Sequence, residues 1–257
     1  VPGYILLLFG GFCLSWGGFI VRSFETTDAW EILLLRSFFF FLGVSVFLLS
    51  MYKKDAFKTK KKAGLAGLMG GFVMSFSFIA FVFAMMNTSV ANVVFIISTQ
   101  TMFLAIFGYF YLKEKISIIG LLSIMLAMMG ITVMIGDSIS GGTLFGNLVA
   151  LTIPVSFSIL VMIIRKNNNL DLVPAIWYAS ISSTLISFLM ANDLSFTNND
   201  ILMGFFLGVP QLTFGFVCIT IGSRTTKSVT IGLLMLTETI FAPLWVWLFL
   251  NEIPPMS

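Results

Sequence analysis

The sequence contains no histidine and only two cysteines, and these absences exclude several kinds of site. Without histidine there is no imidazole general base, no histidine proton relay and no HExxH zinc site. Cys13 and Cys218 both lie inside apolar runs, which argues against a disulfide framework or a thiolate metal site. Clustered acidic residues that could hold a metal or a diphosphate are missing as well. We therefore expect no metal, no cofactor and no enzymatic activity.

Charge is equally scarce. Charged residues make up 10% of the 257 residues, whereas soluble domains contain about 25%. Hydrophobic residues make up 58%, and the mean hydropathy is +1.05. A chain with so few charges cannot cover an apolar core with a polar surface, so its solvent is predicted to be the lipid bilayer. The net charge of +3 gives no reason to expect a nucleic-acid partner.

Nine apolar runs are long enough to cross a bilayer, which takes about 20 helical residues. These runs are predicted to be helices at 2–21, 32–52, 63–86, 90–112, 116–135, 144–164, 172–191, 201–222 and 228–250. Strands of a membrane barrel would instead be about 10 residues long and would alternate in polarity. The connectors are too short for an extramembrane domain, so the predicted fold is an all-α polytopic membrane protein.

Basic residues fix the expected orientation, because short cytoplasmic loops are enriched in lysine and arginine. Only Arg22 and Arg36 lie outside one set of alternate connectors and their edges. The others are Lys53, Lys54, Lys58, Lys60, Lys61, Lys62, Lys113, Lys115, Arg165, Lys166, Arg224 and Lys227. This pattern predicts a multi-pass protein of the cytoplasmic (inner) membrane with its N-terminus inside.

The sequence also contains an internal repeat. A shift of 138 residues superimposes residues 88–114 on 226–252 without a gap. Identical pairs in this stretch are Thr88/Thr226, Thr99/Thr237, Thr101/Thr239, Phe103/Phe241, Leu112/Leu250 and Glu114/Glu252. At matched positions the basic residues change sides as opposite orientations require. Five helices per copy is an odd number, so the second copy is predicted to be inverted, as in many secondary transporters.

The repeat divides the chain into two predicted units, residues 1–136 and 137–257. The repeat partner of the fifth span would run past Ser257. We therefore expect a ten-helix design whose tenth helix is absent from this chain. A natural nine-helix protein is the alternative.

Several short motifs resemble those of the drug/metabolite transporter superfamily, in particular its EamA-type members with two repeats. They are Leu14-Ser15-Trp16-Gly17-Gly18, Val21-Arg22, Arg36, Phe110-Tyr111-Leu112-Lys113-Glu114, Leu236-Thr237-Glu238 and Leu248-Phe249-Leu250-Asn251-Glu252. The resemblance covers essentially the whole chain. It implies ten helices around a central cavity and transport of small metabolites, often export of amino acids or drugs. The missing tenth helix is the one departure.

Glu238 is the only carboxylate deep inside a predicted span. At 1.5 Å per residue it lies about 15 Å from Ser228, near the bilayer midplane. An unpaired charge at this depth costs at least about 2.5–3.5 kcal/mol, so the side chain is expected to face a cavity. It is either a proton-coupling or cation-binding group, or a protonated carboxyl that fastens neighbouring helices. Its repeat partner, Gln100, is either a ligand contact or a hydrogen bond between helices.

Helical spacing adds further candidates for solute binding, although each aromatic ring could instead pack against helices or lipid. The face of Glu238 also carries Thr237 and Phe241, and the matched face carries Asn92, Thr99 and Phe103. Trp16, Tyr178 and Gln211 complete the set.

Arg36 is expected to snorkel toward the outer surface or to pair with Glu31 or Asp28. No basic side chain is then expected at the midplane, which disfavours sugar-phosphate or nucleotide-sugar substrates.

Proline and glycine positions indicate where helices bend and touch. Pro154, Pro210 and Pro243 interrupt spans of the second half only, where they act either as hinges or as passive kinks. Small-residue spacing predicts close helix contacts. The pairs are Ala66 with Gly70, Gly67 with Gly71, and Gly204 with Gly208.

These features favour a secondary active transporter that exports small organic metabolites, such as amino acids or drugs, by alternating access. A proton is the candidate coupling ion, through Glu238, and the protein is expected to be a monomer or a homodimer. A carrier for quaternary ammonium or other amine solutes is the transport alternative, with Trp16 or Tyr178 contacting the cation. A channel or structural membrane protein is the alternative from another class.

Overall fold

The structure of the protein is a computed structural model. The part of the chain that it describes contains eight helices that are long and apolar enough to cross a membrane. The structure describes residues 2–115, 118–119, 121–122, 125–126, 129, 144–191 and 194–250. The eight helices are α1 Gly3–Arg22, α2 Ala29–Tyr52, α3 Ala56–Asn87, α4 Val90–Leu112, α5 Leu144–Lys166, α6 Val173–Met190, α7 Asn198–Ser223 and α8 Ser228–Leu250. They confirm the predicted all-α polytopic class.

These helices correspond to eight of the nine predicted spans. The fifth predicted span, 116–135, lies largely outside the described residues. The predicted boundary between residues 136 and 137, and residues 251–257, also lie outside them.

Four of the helices are interrupted, and the interruptions fall in both halves of the chain. α1 comprises Gly3–Ser15 and Gly17–Arg22, α4 comprises Val90–Ser98 and Gln100–Leu112, and α5 comprises Leu144–Ala150 and Thr152–Lys166. α7 comprises Asn198–Phe206, a π-helical turn Leu207–Thr213, and Phe214–Ser223. Helix breaks are therefore not confined to the half whose spans contain prolines.

Hydroxyl groups accompany the two breaks that have no proline nearby. Ser15 Oγ donates to Phe12 O at 2.6 Å, and Thr99 Oγ1 donates to Ile96 O at 2.7 Å. A side chain that bonds a carbonyl of the preceding turn competes with the backbone ladder and bends the helix. The sequence reasoning counted prolines and overlooked this second way of bending a span.

The three prolines occupy different settings. Pro154 lies just after the break in α5, Pro210 lies within the π-helical turn of α7, and Pro243 lies inside the uninterrupted α8. In the π-helical turn, Thr213 Oγ1 donates to Gly208 O at 3.0 Å and so satisfies a carbonyl that the widened turn leaves available. Whether these positions act as hinges stays a prediction.

The lysine-rich connector is helical up to Ala63, and Gly64 separates it from the apolar part of α3. Gly64 has φ 52° and ψ −144°, a conformation that is essentially restricted to glycine. The kink lets residues 56–63 present Lys58 and its neighbours to solvent while the rest of α3 enters the bundle. Predicting this segment as a loop missed a helix that begins at Ala56.

Helix contacts occur in matched pairs, as a twofold relation between the halves requires. α3 packs on α6 as α7 packs on α2, and α1 packs on α7 as α5 packs on α3. In the same way, α1 packs on α8 as α5 packs on α4. Two further contacts, α2 with α6 and α4 with α8, join helices that are each other's repeat partners and therefore cross the twofold axis between the halves. A shift of 138 residues relates the partners in each match. The placement of the repeats is therefore visible in the packing as well as in the sequence.

The predicted small-residue contacts hold helices together at close range. A methyl group on Gly208 would lie 2.6 Å from Phe39 Cβ and Phe40 N, both on α2. A methyl group on Gly71 would lie 2.6 Å from Ala175 O on α6. Backbones therefore approach closely at corresponding contacts of the two halves, α2 with α7 and α3 with α6.

Replacing Gly208 with alanine is expected to destabilise the protein far more than replacing its repeat partner Gly70. At Gly208 the added methyl meets backbone atoms of α2, whereas at Gly70 the nearest atom is Leu160 Cδ1, 3.0 Å away at the end of a flexible side chain. Overpacking of a rigid contact costs about 1–3 kcal/mol. The measurement is the thermal unfolding midpoint of each purified variant in detergent. Equal midpoints for the two variants would contradict this account.

Candidate functional site

A cavity of about 40 Å³ lies at the centre of the bundle, between the two halves. Every membrane-length helix except α6 contributes to its wall. The polar lining residues are Arg36, Ser77, Gln100, Gln211 and Glu238, and the rest of the lining is apolar. A space of this size holds about three water molecules.

Glu238 enters this cavity from α8. Its side chain is buried, with 6% of the residue exposed. None of the described residues donates a hydrogen bond to its carboxyl group. A carboxyl without donors in an apolar bundle is a group that a proton or a cation can satisfy.

Arg36 faces the same cavity from α2, contrary to the sequence-based expectation. Only 2% of it is exposed, its Nη1 donates to Phe78 O at 3.1 Å, and its guanidinium lies 4.7 Å from the centre of the Phe81 ring. Glu31 accepts a hydrogen bond from Thr26 and forms no ion pair with Arg36. The premise that no basic side chain reaches the centre of the membrane is therefore wrong, and the argument against anionic substrates loses its basis.

The periodicity of α2 explains why Arg36 points inward. The residues four apart along this helix form its most buried stripe: Ile32, Arg36, Phe40, Val44 and Leu48. Residues spaced by four share a helix face. The sequence does not single out this stripe, because the other faces of α2 are apolar as well, and the depth of Arg36 alone suggested an outer position.

The two charges face each other without touching. Arg36 and Glu238 attract each other electrostatically, yet they form no direct ion pair, unlike Arg165 and Glu114. Both residues line the same cavity, Arg36 from α2 and Glu238 from α8. The lining of the cavity therefore includes one basic and one acidic side chain.

Two amide side chains complete the polar lining. Gln100, on α4, is 2% exposed and its Nε2 has no partner among the described residues. Gln211, on the π-helical turn, donates from Nε2 to Leu14 O at 3.1 Å, while its Oε1 is buried and unpartnered. Gly17 makes this contact possible, since a methyl group there would lie 2.9 Å from Gln211 Nε2.

Of the predicted site residues, Glu238, Gln100 and Gln211 line the central cavity, whereas Trp16 does not. The Trp16 ring stacks on Trp245 with centroids 4.2 Å apart. It borders a separate, largely apolar groove of about 530 Å³ between α1 and α7, which Pro210 and Gln211 also line. Gln211 is therefore the residue shared by the groove and the central cavity.

The predicted hydroxyl and amide candidates are engaged with their own helices. Thr237 Oγ1 donates to Leu234 O, and Thr99 makes the corresponding bond to Ile96 O, each at 2.7 Å. Asn92 Nδ2 donates to Thr88 Oγ1 at 3.1 Å. None of the three lines the central cavity described above.

The aromatic candidates also lie away from the cavity. Phe103 packs against Phe107, and Phe241 packs against Phe12 and Trp245. Tyr178 packs over Gly67 and Gly71 and directs its hydroxyl toward Lys60 O at 3.5 Å. Roles for these residues in solute binding stay predictions.

Glu114 ties three helices together at the end that the charge pattern assigns to the cytoplasm. It forms an ion pair with Arg165 at the end of α5 and accepts a hydrogen bond from the backbone N–H of Ser228, at the start of α8, at 3.1 Å. Its own position follows α4 directly. The carboxylate thereby links α4, α5 and α8, all of which line the cavity.

Replacing Glu114 with glutamine is expected to open this end of the cavity. Breaking a largely buried ion pair leaves Arg165 without its counter-charge, which favours separation of the helices. The measurement is the labelling rate of Ser77→Cys by an impermeant maleimide applied from the cytoplasmic side, in a chain with Cys13 and Cys218 replaced by alanine. Labelling several-fold faster in Glu114→Gln is expected.

Lys58→Gln is the matched control, because it removes the exposed ion pair between Lys58 and Asp55 on the same predicted side. Exposed pairs of this kind contribute about 0–1 kcal/mol, so the control is expected to label like the parent. A labelling rate unaffected by Glu114→Gln would refute the link between this contact and cavity closure.

Metal binding finds no support in the side chains. Among residues whose placement the structure describes, no group of three or more Cys, Asp or Glu side chains is arranged to hold a metal ion.

Comparison with known proteins gives consistent similarities along the chain. The profile of the EamA-like transporter family matches residues 1–136 and 144–257. The chain is 25% identical over 270 residues to solute carrier family 35 member G1 of Homo sapiens, covering 98% of this chain and 73% of that protein. It is also 25% identical over 273 residues to an uncharacterized transporter of Clostridium kluyveri, covering 97% of this chain and 86% of the relative.

One solved structure shares the fold. The chain superimposes on a crystal structure titled simply "Crystal structure of protein" with a TM-score of 0.73. The two chains are 14% identical, and the match covers 99% of this chain and 90% of the other. At this identity the likeness concerns the fold alone.

Proposed function

Because this chain belongs to the EamA-like transporter family, we propose that it is a secondary active transporter that exports small organic metabolites across the cytoplasmic membrane. The observation that carries the proposal is Glu238, a buried carboxyl that accepts no hydrogen bond from the described residues and that lines the central cavity between the two halves. A membrane transporter of small solutes needs a polar site that both halves enclose, and this cavity meets that description. The N-terminus lies in the cytoplasm in this proposal.

The size of the cavity supports alternating access. Sites for small organic molecules usually occupy about 300–1,000 Å³, whereas this cavity measures about 40 Å³. The helices must therefore separate before a metabolite can enter. The breaks at Trp16 and Thr99 and the π-helical turn around Pro210 are points at which helices of the wall can bend. The described arrangement corresponds to a closed state of the transport cycle.

Glu238 supplies a means of coupling to protons. Its ionised form is costly at this depth unless a cation lies next to it. A cationic group of the solute and a proton therefore compete for the Glu238 carboxyl. If the site releases solute outside and faces the cytoplasm again with Glu238 protonated, the cycle exchanges one solute molecule for one proton. Export of the metabolite is thereby driven by proton entry. Coupling of this kind requires that the site open to only one side at a time.

A carrier for purely cationic amines fits the cavity less well. Arg36 lines the same cavity as Glu238. Its positive charge repels a solute that carries only positive charge. Trp16 and Tyr178, the rings that such a solute would contact, line other parts of the protein.

Glu238→Gln is expected to abolish the dependence of transport on a pH gradient, because an amide cannot take up a proton. The measurement is transport of radiolabelled amino acids and amines by proteoliposomes that contain the full chain, with and without an imposed gradient. Wild-type transport is expected to respond several-fold to the gradient, and variant transport to be insensitive to it.

Glu25→Gln is the matched control, because Glu25 is exposed in the connector between α1 and α2 and is remote from the cavity. Its gradient dependence is expected to equal that of wild type. Gradient-dependent transport that survives in Glu238→Gln would eliminate the coupling role, and the absence of transport of any organic solute would count against the proposed function itself.

A further inference from the structure

We propose that Arg36 is the anchor for a carboxylate group of the transported solute. This inference rests on the proposed function and specifies the chemistry of its substrate. The solute class is a small molecule with a carboxylate at one end and a hydrogen-bond donor, such as an ammonium group, near the other. The assignment depends on how Arg36, Gln100 and Gln211 are bonded around the central cavity.

The bonding of Arg36 leaves it available to an anion. The rings of Phe78 and Phe81 lie 5.5 Å and 4.7 Å from its guanidinium carbon, and Nη1 donates to Phe78 O. Its Nε is buried and has no partner in the described part of the chain. The aromatic contacts hold the planar group in place, and Arg36 is one of the residues that line the cavity. A planar guanidinium matches a carboxylate in two parallel hydrogen bonds.

The neighbouring amides separate into a donor and an acceptor. Gln100 and Gln211 both line the cavity, and among the described residues the buried Nε2 of Gln100 and the buried Oε1 of Gln211 have no hydrogen-bond partner. Donors therefore come from Arg36 on α2 and Gln100 on α4, while acceptors come from Gln211 on α7 and Glu238 on α8. A solute with an acceptor end and a donor end satisfies both sets at once.

A purely structural role for Arg36 does not account for these unused groups. Buried polar atoms are nearly always hydrogen-bonded, and leaving one unsatisfied costs about 1–3 kcal/mol. Three such atoms belong to Arg36, Gln100 and Gln211, which all line one cavity of about 40 Å³. A polar ligand in this cavity gives these three residues and Glu238 a common partner.

Charge balance favours a carboxylate over a doubly charged phosphate. When a proton or a solute cation satisfies Glu238, Arg36 is left with one positive charge that a single negative charge neutralises. A phosphate monoester carries about −1.5 to −2 at neutral pH and would place excess negative charge opposite Glu238. The cavity is therefore expected to select a monocarboxylate.

The test compares ligands that share one carbon skeleton and differ in the anionic group. The full chain, purified in detergent, is titrated with leucine, leucinamide, 3-methylbutylamine and 4-methylpentanoate, and the thermal unfolding midpoint is followed. Leucine is expected to raise the midpoint of wild type at concentrations at least tenfold lower than leucinamide or the amine. The same series built on phenylalanine tests whether the preference follows the carboxylate rather than the side chain.

Variants at position 36 identify the residue responsible. Arg36→Gln is expected to lose the preference for acid over amide, and Arg36→Lys, which keeps the charge but not the planar fork, to retain part of it. Arg224→Gln is the control. Arg224 follows the end of α7, donates hydrogen bonds to Asn168 O and does not line the cavity. If Arg36→Gln fails to fold, the wild-type acid and amide series and Arg36→Lys still decide the question.

Equal effects of leucine and leucinamide on wild type would overturn the proposal. So would an undiminished preference for the acid in a folded Arg36→Gln, or the failure of every carboxylate to shift the wild-type midpoint. Because this experiment measures binding without transport, its outcome is separate from that of the proteoliposome assay. Transport of solutes that lack a carboxylate would leave the proposed function standing while refuting the anchor.

Discussion

Two opposite charges, on Arg36 and Glu238, lie inside a bundle of otherwise apolar helices, and the unfavourable energy of burying them constrains what surrounds them. In a medium that cannot solvate ions, each charge needs a counter-charge, a hydrogen bond or water. The wall built around them draws on seven helices from both halves. In the proposed transport cycle, relative movement of the two halves opens this cavity to one side or the other.

The two repeats place their helices in matching positions, but the side chains at matching positions around the cavity differ. Gly71 and Gly208 allow corresponding helices to pack closely, and Thr99 and Thr237 make the same hydroxyl bond to a carbonyl three residues earlier. The shift that relates these residues also pairs Glu238 with Gln100 and Arg36 with Pro174. Two matched backbones therefore place unlike side chains around one space, so an acidic side and a basic side arise from a symmetric scaffold.

Residue chemistry and spacing were enough to find part of the site. Glu238 was identifiable because a carboxylate ten residues into an apolar helix has few explanations, and the repeat then pointed to Gln100. Arg36 was missed because its distance from the helix end was the only guide to its position, and the apolar faces of α2 do not show which of them is buried. Trp16, Thr237 and Phe103 had the right chemistry, yet their orientation depends on which helices lie beside them, and no single span encodes that.

The sequence by itself determined the membrane environment, the spans and the relation between the repeats, because hydropathy, length and charge placement act locally along the chain. It could not determine which faces of those spans meet, because nearly every face is apolar and lipid and protein are equally acceptable neighbours. Close approach at Gly71 and Gly208, together with backbone bends at Trp16, Thr99 and the π-helical turn, decided that question. Only the packed helices bring Arg36, from one end of the chain, to the same cavity as Glu238, from the other.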